Sequence, residues 1–305
     1  MEPKQRSSDV AAQEMIIRMA EAHQQNAWDR LETQLPQCGF GKQGVCCREP
    51  LGLEGVRLEA EVLTLGGFSP YLKNLSQCIL DADLEMLDMI PSTLAAAKSV
   101  LTDRQKELGA GVLDIGGGTT GFAVFEEGHL IHLIILPMGS ANITNDIAIG
   151  LKTDIDVAER IKIEFGSCML KGKNVRHKID IGEEEALVFP QKLLNKIITD
   201  RISEIFEESN KELKKISKEK LLPAGIVLTG GGAKLPNMIE LAKKKFSLPC
   251  RLGKPRGIVG MKDGLSLSTV SGLVLEGAEE ERGAGFDFSR SISSRIKKIF
   301  KIFIP

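Results

Sequence analysis

The chain has no charge bias: 40 Lys and Arg stand against 41 Asp and Glu over 305 residues, a formal net charge of −1. The global basicity of a nucleic-acid-binding protein is therefore missing. Its six cysteines (Cys38, Cys46, Cys47, Cys78, Cys168, Cys250) form no CxxC pair, and its four histidines are scattered. Adjacent Cys46 and Cys47 have no second pair or histidine cluster beside them to complete a metal centre. No secretory signal precedes these cysteines, so reduced thiols in the cytosol are expected. A Gly-Lys-Ser/Thr loop opening a helix is also absent. Gly39-x-Gly-x-x-Gly44 spells a dinucleotide fingerprint, but no apolar strand leads into it. With 42% hydrophobic residues, the chain can still bury a multi-part core.

What is present is glycine in runs. Ala110–Ile115 reads as a buried strand, Gly116-Gly117-Gly118 as a tight turn, and Gly121–Phe125 as a second strand, with a third from His129 to Leu136. In such a β-turn-β hairpin the missing Cβ atoms let backbone N–H groups close around an anion. The Thr119 and Thr120 hydroxyls can add donors, and Asp114 at the strand tip is placed to hold a hydrated Mg²⁺. A second run, Gly230-Gly231-Gly232, follows the strand Gly225–Thr229 and precedes an amphipathic helix starting at Pro236, with Ile239, Ala242 and Phe246 on one face. That geometry suits close approach by a flat ligand such as an adenosine. Between the runs, Thr153–Phe165 reads as a helix capped by Thr153, with Val157, Ile161 and Phe165 buried. Glu159 and Lys162 then project together, either as a plain surface ion pair or as a clasp for ribose hydroxyls and the purine edge.

The C-terminus carries a different signal. Glu276–Gly285 is acidic and glycine-rich, which reads as a flexible linker, and a basic, apolar segment follows it. Ile292, Ile296, Ile299, Phe300 and Phe303 share one helical stripe, and Arg290, Arg295, Lys297, Lys298 and Lys301 supply positive charge. A helix here reaches only ~24 Å at ~1.5 Å per residue, short of a ~30 Å hydrocarbon core, so it should lie on an anionic membrane and not cross it. The competing reading is a last amphipathic helix docked on the protein's own core.

Asp114–Phe125, Ile143–Leu151, Ala158–Lys162 and Val227–Pro236 together resemble the FtsA family of bacterial cell-division proteins, within the actin, Hsp70 and sugar-kinase superfamily. Glu54–Val62 resembles the start of that family's inserted subdomain, and Gly253-Lys-Pro-Arg-Gly257 also fits. The resemblance implies an α/β, actin-like ATPase fold that binds ATP and Mg²⁺ through Asp114, Gly116, Gly117, Gly118, Thr119, Thr120, Glu159, Lys162, Gly230, Gly231 and Gly232. It also implies a C-terminal amphipathic membrane helix. The implied role is an adaptor, peripheral on the cytoplasmic side of the membrane at the septum. It would tether FtsZ, self-associate into actin-like filaments and recruit later division proteins, with no nucleic-acid partner. No catalytic residue is assigned, and activity is at most a weak ATPase. The alternatives are an actin-like pilus-assembly protein and a phosphotransferase or ATPase of the same superfamily.

Two departures accompany the resemblance. The Asp-x-Gly hairpin that opens members of the superfamily is missing, so the first phosphate-binding subdomain is expected to be largely absent and the N-terminus shortened or altered. Gly121 stands where relatives commonly carry a polar residue. The expected organisation is 1–45 unmatched, with a polar helical segment from Asp9 to Leu35, and 46–105 an inserted subdomain with a strand Arg57–Leu65 and a helix Pro70–Ala82. Residues 106–165 and 224–275 form a nucleotide-binding half, 166–223 a small subdomain, 276–289 a linker and 290–305 the membrane helix. The FtsZ peptide is expected on 166–223, where Lys192, Lys196 and Arg201 offer a basic face to an acidic-hydrophobic ligand.

Overall fold

A computed structural model describes residues 28–40, 45–47, 58–169, 175–182, 185–218, 220–260 and 263–283. The membrane segment 290–305 lies outside them. The centre is a five-stranded mixed sheet built from β4 (Ala110–Ile115), β5 (Thr120–Glu126), β6 (His129–Leu136), β9 (Ile226–Thr229) and β10 (Cys250–Leu252), in the order β10-β9-β4-β5-β6. β4 runs parallel to β9 and antiparallel to β5, and β10 is parallel to β9. Strand alternation divides the sheet's side chains between two faces. Leu113, Ile115, Phe122, Val124, Ile226 and Leu228 face one core, while Ala110, Val112, Ala123, Phe125 and Val227 face the other.

The first core is closed by α4 (Ser140–Leu151), α5 (Ile155–Phe165), α6 (Gln191–Lys215) and α7 (Met238–Phe246). α6 forms because Leu194, Ile198, Ile202, Ile205 and Leu213 recur at helical spacing and are fully buried, each contributing roughly 1.5–3 kcal/mol of transfer free energy. The hairpin of β7 (Arg176–Gly182) and β8 (Glu185–Pro190) adds Ile179 and Phe189 to that core. α5 begins after Asp154, not Thr153, whose N–H instead donates to the Ala148 carbonyl at the end of α4. Of its expected face, Ile161 is fully buried with Ala158, while Val157 and Phe165 pack at the margin. α7 starts two residues later than Pro236 suggested, because Gly231–Lys234 first makes a 3₁₀ turn.

The second core carries α2 (Ser92–Val100), with α8 (Ser268–Gly283) packed on α2, and α3 (Asp103–Leu108) lies beside β4 and β5. Gly272 allows that packing, since a Cβ there would overlap the Ala95 carbonyl. Lys98 then bridges from α2 to Glu276 and Glu279 of α8 at 2.9 and 2.5 Å. The linker expected at 276–289 is therefore helical through Gly283. Glutamate and alanine sustain a helix, and the Lys98 pairs hold two of its carboxylates.

The remaining described elements are β1 (Trp28–Phe40), β2 (Val45–Cys47), β3 (Leu58–Phe68) and α1 (Ser69–Asp81). β1 pairs antiparallel with both β2 and β3. Trp28–Leu35 is thus strand, not the helix expected there, and β1 joins a sheet that crosses the boundary drawn at 45. Leu31, Thr33 and Leu35 alternate, and Pro36 is accommodated at a register shift between Gln34 and Gln37. Gly39 lies in this hairpin, where the next described element is strand β2, so the fingerprint opens no helix. β3 and α1 fall within a few residues of the strand and helix expected at Arg57–Leu65 and Pro70–Ala82. Among the described residues, no helix is long and apolar enough to cross a membrane.

Candidate nucleotide site

The turn between β4 and β5 closes with the Gly116 N–H donating to the Thr119 carbonyl at 2.9 Å. Its far side is pinned by the first turn of α4: Ser140 N–H reaches the Gly116 carbonyl at 2.9 Å, and Ala141 N–H the Gly117 carbonyl at 2.8 Å. In a planar trans peptide, N–H and C=O point in opposite directions. With both carbonyls turned toward α4, the Gly117 and Gly118 N–H groups point away from it. A Cβ on either residue would meet no atom within 4 Å, so both amides border open space. Two neighbouring amides presented this way form an anion nest. Gly139 permits the arrangement, because a Cβ there would overlap the Gly117 backbone, and Asn142 Oδ1 accepts from the Gly139 N–H at 2.9 Å.

Asp114 lies beside the turn, in register with Gly121 on one side and Thr229 on the other. Its Oδ2 accepts from the Thr269 hydroxyl of α8 at 3.2 Å. Burial pushes its carboxyl above the ordinary range, against the opposing pull of that hydrogen bond. Gly230 passes directly over it: a Cβ there would sit 2.5 Å from both Asp114 Oδ1 and the Ile115 carbonyl oxygen. Gly230 also has φ +85°, so glycine is needed there for backbone and space alike. Gly232 is pressed on Ile115, whereas Gly231 has only Ser266 Oγ nearby, at 3.6 Å. Of the second run, Gly231 alone has room to border a ligand. Thr120 is buried and donates to the Met138 carbonyl at 2.7 Å, which makes it a strut of the turn.

Glu159 and Lys162 are brought to the same corner. The Lys162 ammonium is buried and reaches the Thr144 hydroxyl at 2.7 Å, the Ser140 carbonyl at 3.2 Å and Glu159 at 2.6 Å. Its three donors have three protein acceptors. Lys162 thereby clamps α5 to the same turn of α4 that pins the glycines. Glu159 accepts from the Thr144 hydroxyl at 2.5 Å and keeps its carboxylate half-exposed. Burial opposes its ionisation, but Lys162 and Thr144 outweigh it and hold the carboxyl below its usual range.

Asp114 and the outward amides fit a magnesium nucleotide. Among the described residues no group of three or more His, Cys, Asp or Glu converges, so no protein cage for a cation is formed there. Mg²⁺ is commonly held by one carboxylate together with phosphate oxygens and water, and a lone Asp114 beside a phosphate nest suits that mode. Gly121 has a packing reason to lack a side chain. A Cβ there would overlap the Thr93 hydroxyl of α2.

Ser140, Thr144 and Thr269 complete the site and were not picked out from the sequence. Each is a hydroxyl residue in the first turns of a helix, a position that by itself signals no ligand. Neither Cys168 nor Cys250 takes part: both are buried, and burial raises them to about 12 and about 11.

Residues 111–272 match the family model described as cell division protein FtsA. The cell division protein FtsA of Pseudomonas aeruginosa is 38% identical over 253 residues, 81% of this chain and 60% of that protein. That of Bacillus subtilis is 36% identical over 218 residues, 70% of this chain and 49% of that protein. The chain thus spans about half to three-fifths of the length of these curated relatives. Among solved structures, MreB5 of Spiroplasma citri bound to ADP superposes with a TM-score of 0.57 at 19% identity, over 70% of this chain and 66% of that one. A chain of the PilM-PilN type IV pilus biogenesis complex gives 0.59 at 15% identity, over 88% and 72%. These likenesses are of fold: a mixed α/β, actin-like ATPase architecture.

Proposed function

Since the chain belongs to the FtsA family of cell-division proteins, we propose that it is an actin-like, nucleotide-binding adaptor of the division machinery. In this reading the Gly117 and Gly118 amides take phosphate oxygens and Asp114 holds a hydrated Mg²⁺. Gly231 borders the nucleoside, and the exposed side of Glu159 faces the ribose. Mg²⁺ supplies charge neutralisation of the phosphates when bound. Lys162, Ser140 and Thr144 keep the turn in its anion-accepting shape. Nucleotide governs self-association into filaments, and hydrolysis is at most weak. The basic, apolar segment around Ile292–Phe303 tethers the protein to the cytoplasmic face of the membrane at the septum, where it holds FtsZ and recruits later division proteins.

The observation that carries the nucleotide reading is the pinning of Gly116 and Gly117 by α4, which turns the next two amides outward inside the region that matches the family. The likeness to the pilus component is one of fold, and no feature of the site favours that role over cell division. Gly117→Val tests the reading, because a Cβ at Gly117 meets no protein atom within 4 Å and the fold should stay intact. By calorimetry, ATP affinity should fall at least ~10-fold, or ~1.4 kcal/mol, with Tm unchanged. Equal affinity in wild type and variant removes the glycine turn as the phosphate site.

A further inference from the structure

α8 packs on α2 through Ser268, Ser271 and Gly272, the two serines buried and the glycine against Ala95. Its opposite side carries Val270, Leu273 and Val274 at helical spacing, 56%, 44% and 56% exposed, and Leu267, in the turn just before the helix, is 38% exposed. This is a continuous apolar stripe with no cover among the described residues. Isolated exposed apolar residues are ordinary, but three aligned on one helix face and extended by Leu267 mark a surface that something covers. We propose that, away from a membrane, residues 290–305 of this same chain fold back on that stripe as an antiparallel helix, and that an anionic membrane competes for the same apolar side.

Three observations select this occupant. The first is reach. α8 ends at Gly283, and six residues, 284–289, with a glycine at 285, are a usual length for joining two antiparallel helices. The second is length: α8 has 16 residues, and 290–305 supplies as many, so each helix covers ~24 Å. The third is charge. The C-terminal part of α8 reads Glu276, Glu279, Glu280, Glu281, and the segment that would return beside it begins with Arg290 and Arg295. Antiparallel placement sets these cations near the acidic end and brings Ile299, Phe300 and Phe303 toward Val274, Leu273 and Val270. The stripe Ile292, Ile296, Ile299, Phe300, Phe303 can face α8 or acyl chains, but not both at once. Docking would shield the apolar segment in solution, and membrane binding would bare the α8 face for a partner only at the membrane.

The test uses the full chain. Trypsin cleavage at Arg290, Arg295, Lys297, Lys298 and Lys301 is timed by mass spectrometry without vesicles, together with hydrogen exchange over 267–275. Val270→Glu with Leu273→Glu, at exposed positions that the fold tolerates, should raise cleavage at least ~5-fold and deprotect α8, as an exposed segment requires. Phe300→Glu should do the same from the other side of the contact. On phosphatidylglycerol vesicles the two should part: the α8 variant should bind more tightly than wild type, and Phe300→Glu less tightly. Equal cleavage in wild type and the α8 variant overturns the latch. So does protection of α8 that disappears on dilution along with a dimer, which would make a second copy the occupant. Failure of the wild type to bind vesicles while its tail stays protected would sink the membrane tether and leave the latch standing. Strong vesicle binding with an unprotected tail would do the reverse.

Discussion

At the scale of single residues, several positions that look chemical are set by packing. Gly121 has no room for a side chain because the Thr93 hydroxyl occupies the space one would need. That hydroxyl is itself buried with no hydrogen-bond partner among the described residues. Gly121→Ala should therefore cost ~1–3 kcal/mol by overpacking. Thr93→Val, which replaces an unsatisfied hydroxyl with a methyl of similar shape, should be neutral or stabilising by up to ~1 kcal/mol; urea titrations of both variants measure this. Asp114 gives a pH test. Its native carboxyl lies above the unfolded value of about 3.9 because burial disfavours its charge. The native state thus binds the proton more tightly. Stability from this group is greatest when it is protonated and declines as pH rises from the unfolded toward the raised native value. Asp114→Asn should raise Tm at pH 7 and give no advantage near pH 3. A thermal scan showing the opposite order would mean Asp114 is held ionised by a partner.

Between elements, the α2–α8 contact sets geometric fit against charge. Lys98 bridges to Glu276 and Glu279, but all three side chains are partly exposed, and such pairs contribute ~0–1 kcal/mol. Gly272 has no such latitude, because any Cβ would strike the Ala95 backbone. Gly272→Ala should destabilise by ~1–3 kcal/mol or more, clearly beyond Lys98→Ala, and denaturant midpoints compare the two directly. The α4–α6 contact corrects an expectation of the same kind. Arg201 is not free for a partner: it grips Asp146 through two bonds, at 2.6 and 2.9 Å, and also reaches Glu204.

For the whole molecule, that correction changes how FtsZ docking is tested. Reversing Arg201 would break the Asp146 clamp and confuse loss of fold with loss of binding. Lys196 is exposed on α6, so Lys196→Glu isolates the surface charge. If the face is used, pull-down of FtsZ at low salt should weaken with Lys196→Glu while Tm stays unchanged. Unaltered capture would place the contact elsewhere. The two glycine runs, distant in sequence, meet because β9 lies parallel to β4 and stops level with Asp114. That register carries Gly230 over the Asp114 carboxylate.

The strands flanking Gly116–Gly118, the strand before Gly230 and the elements at 58–81 were legible in the sequence, because each rests on a local pattern of period 2 or 3.6 bounded by glycine or proline. The family resemblance was legible for the same reason, carried by contiguous motifs. Only the tertiary structure decided how those residues are used. It buried Lys162 as a clamp, made Gly230 and Gly232 packing contacts, and drew Thr269 from 155 residues away onto Asp114. It also turned 276–283 from linker to helix and Trp28–Leu35 from helix to strand. Each depends on a partner remote in the chain, and neither local propensity nor spacing can report where a distant side chain will come to rest.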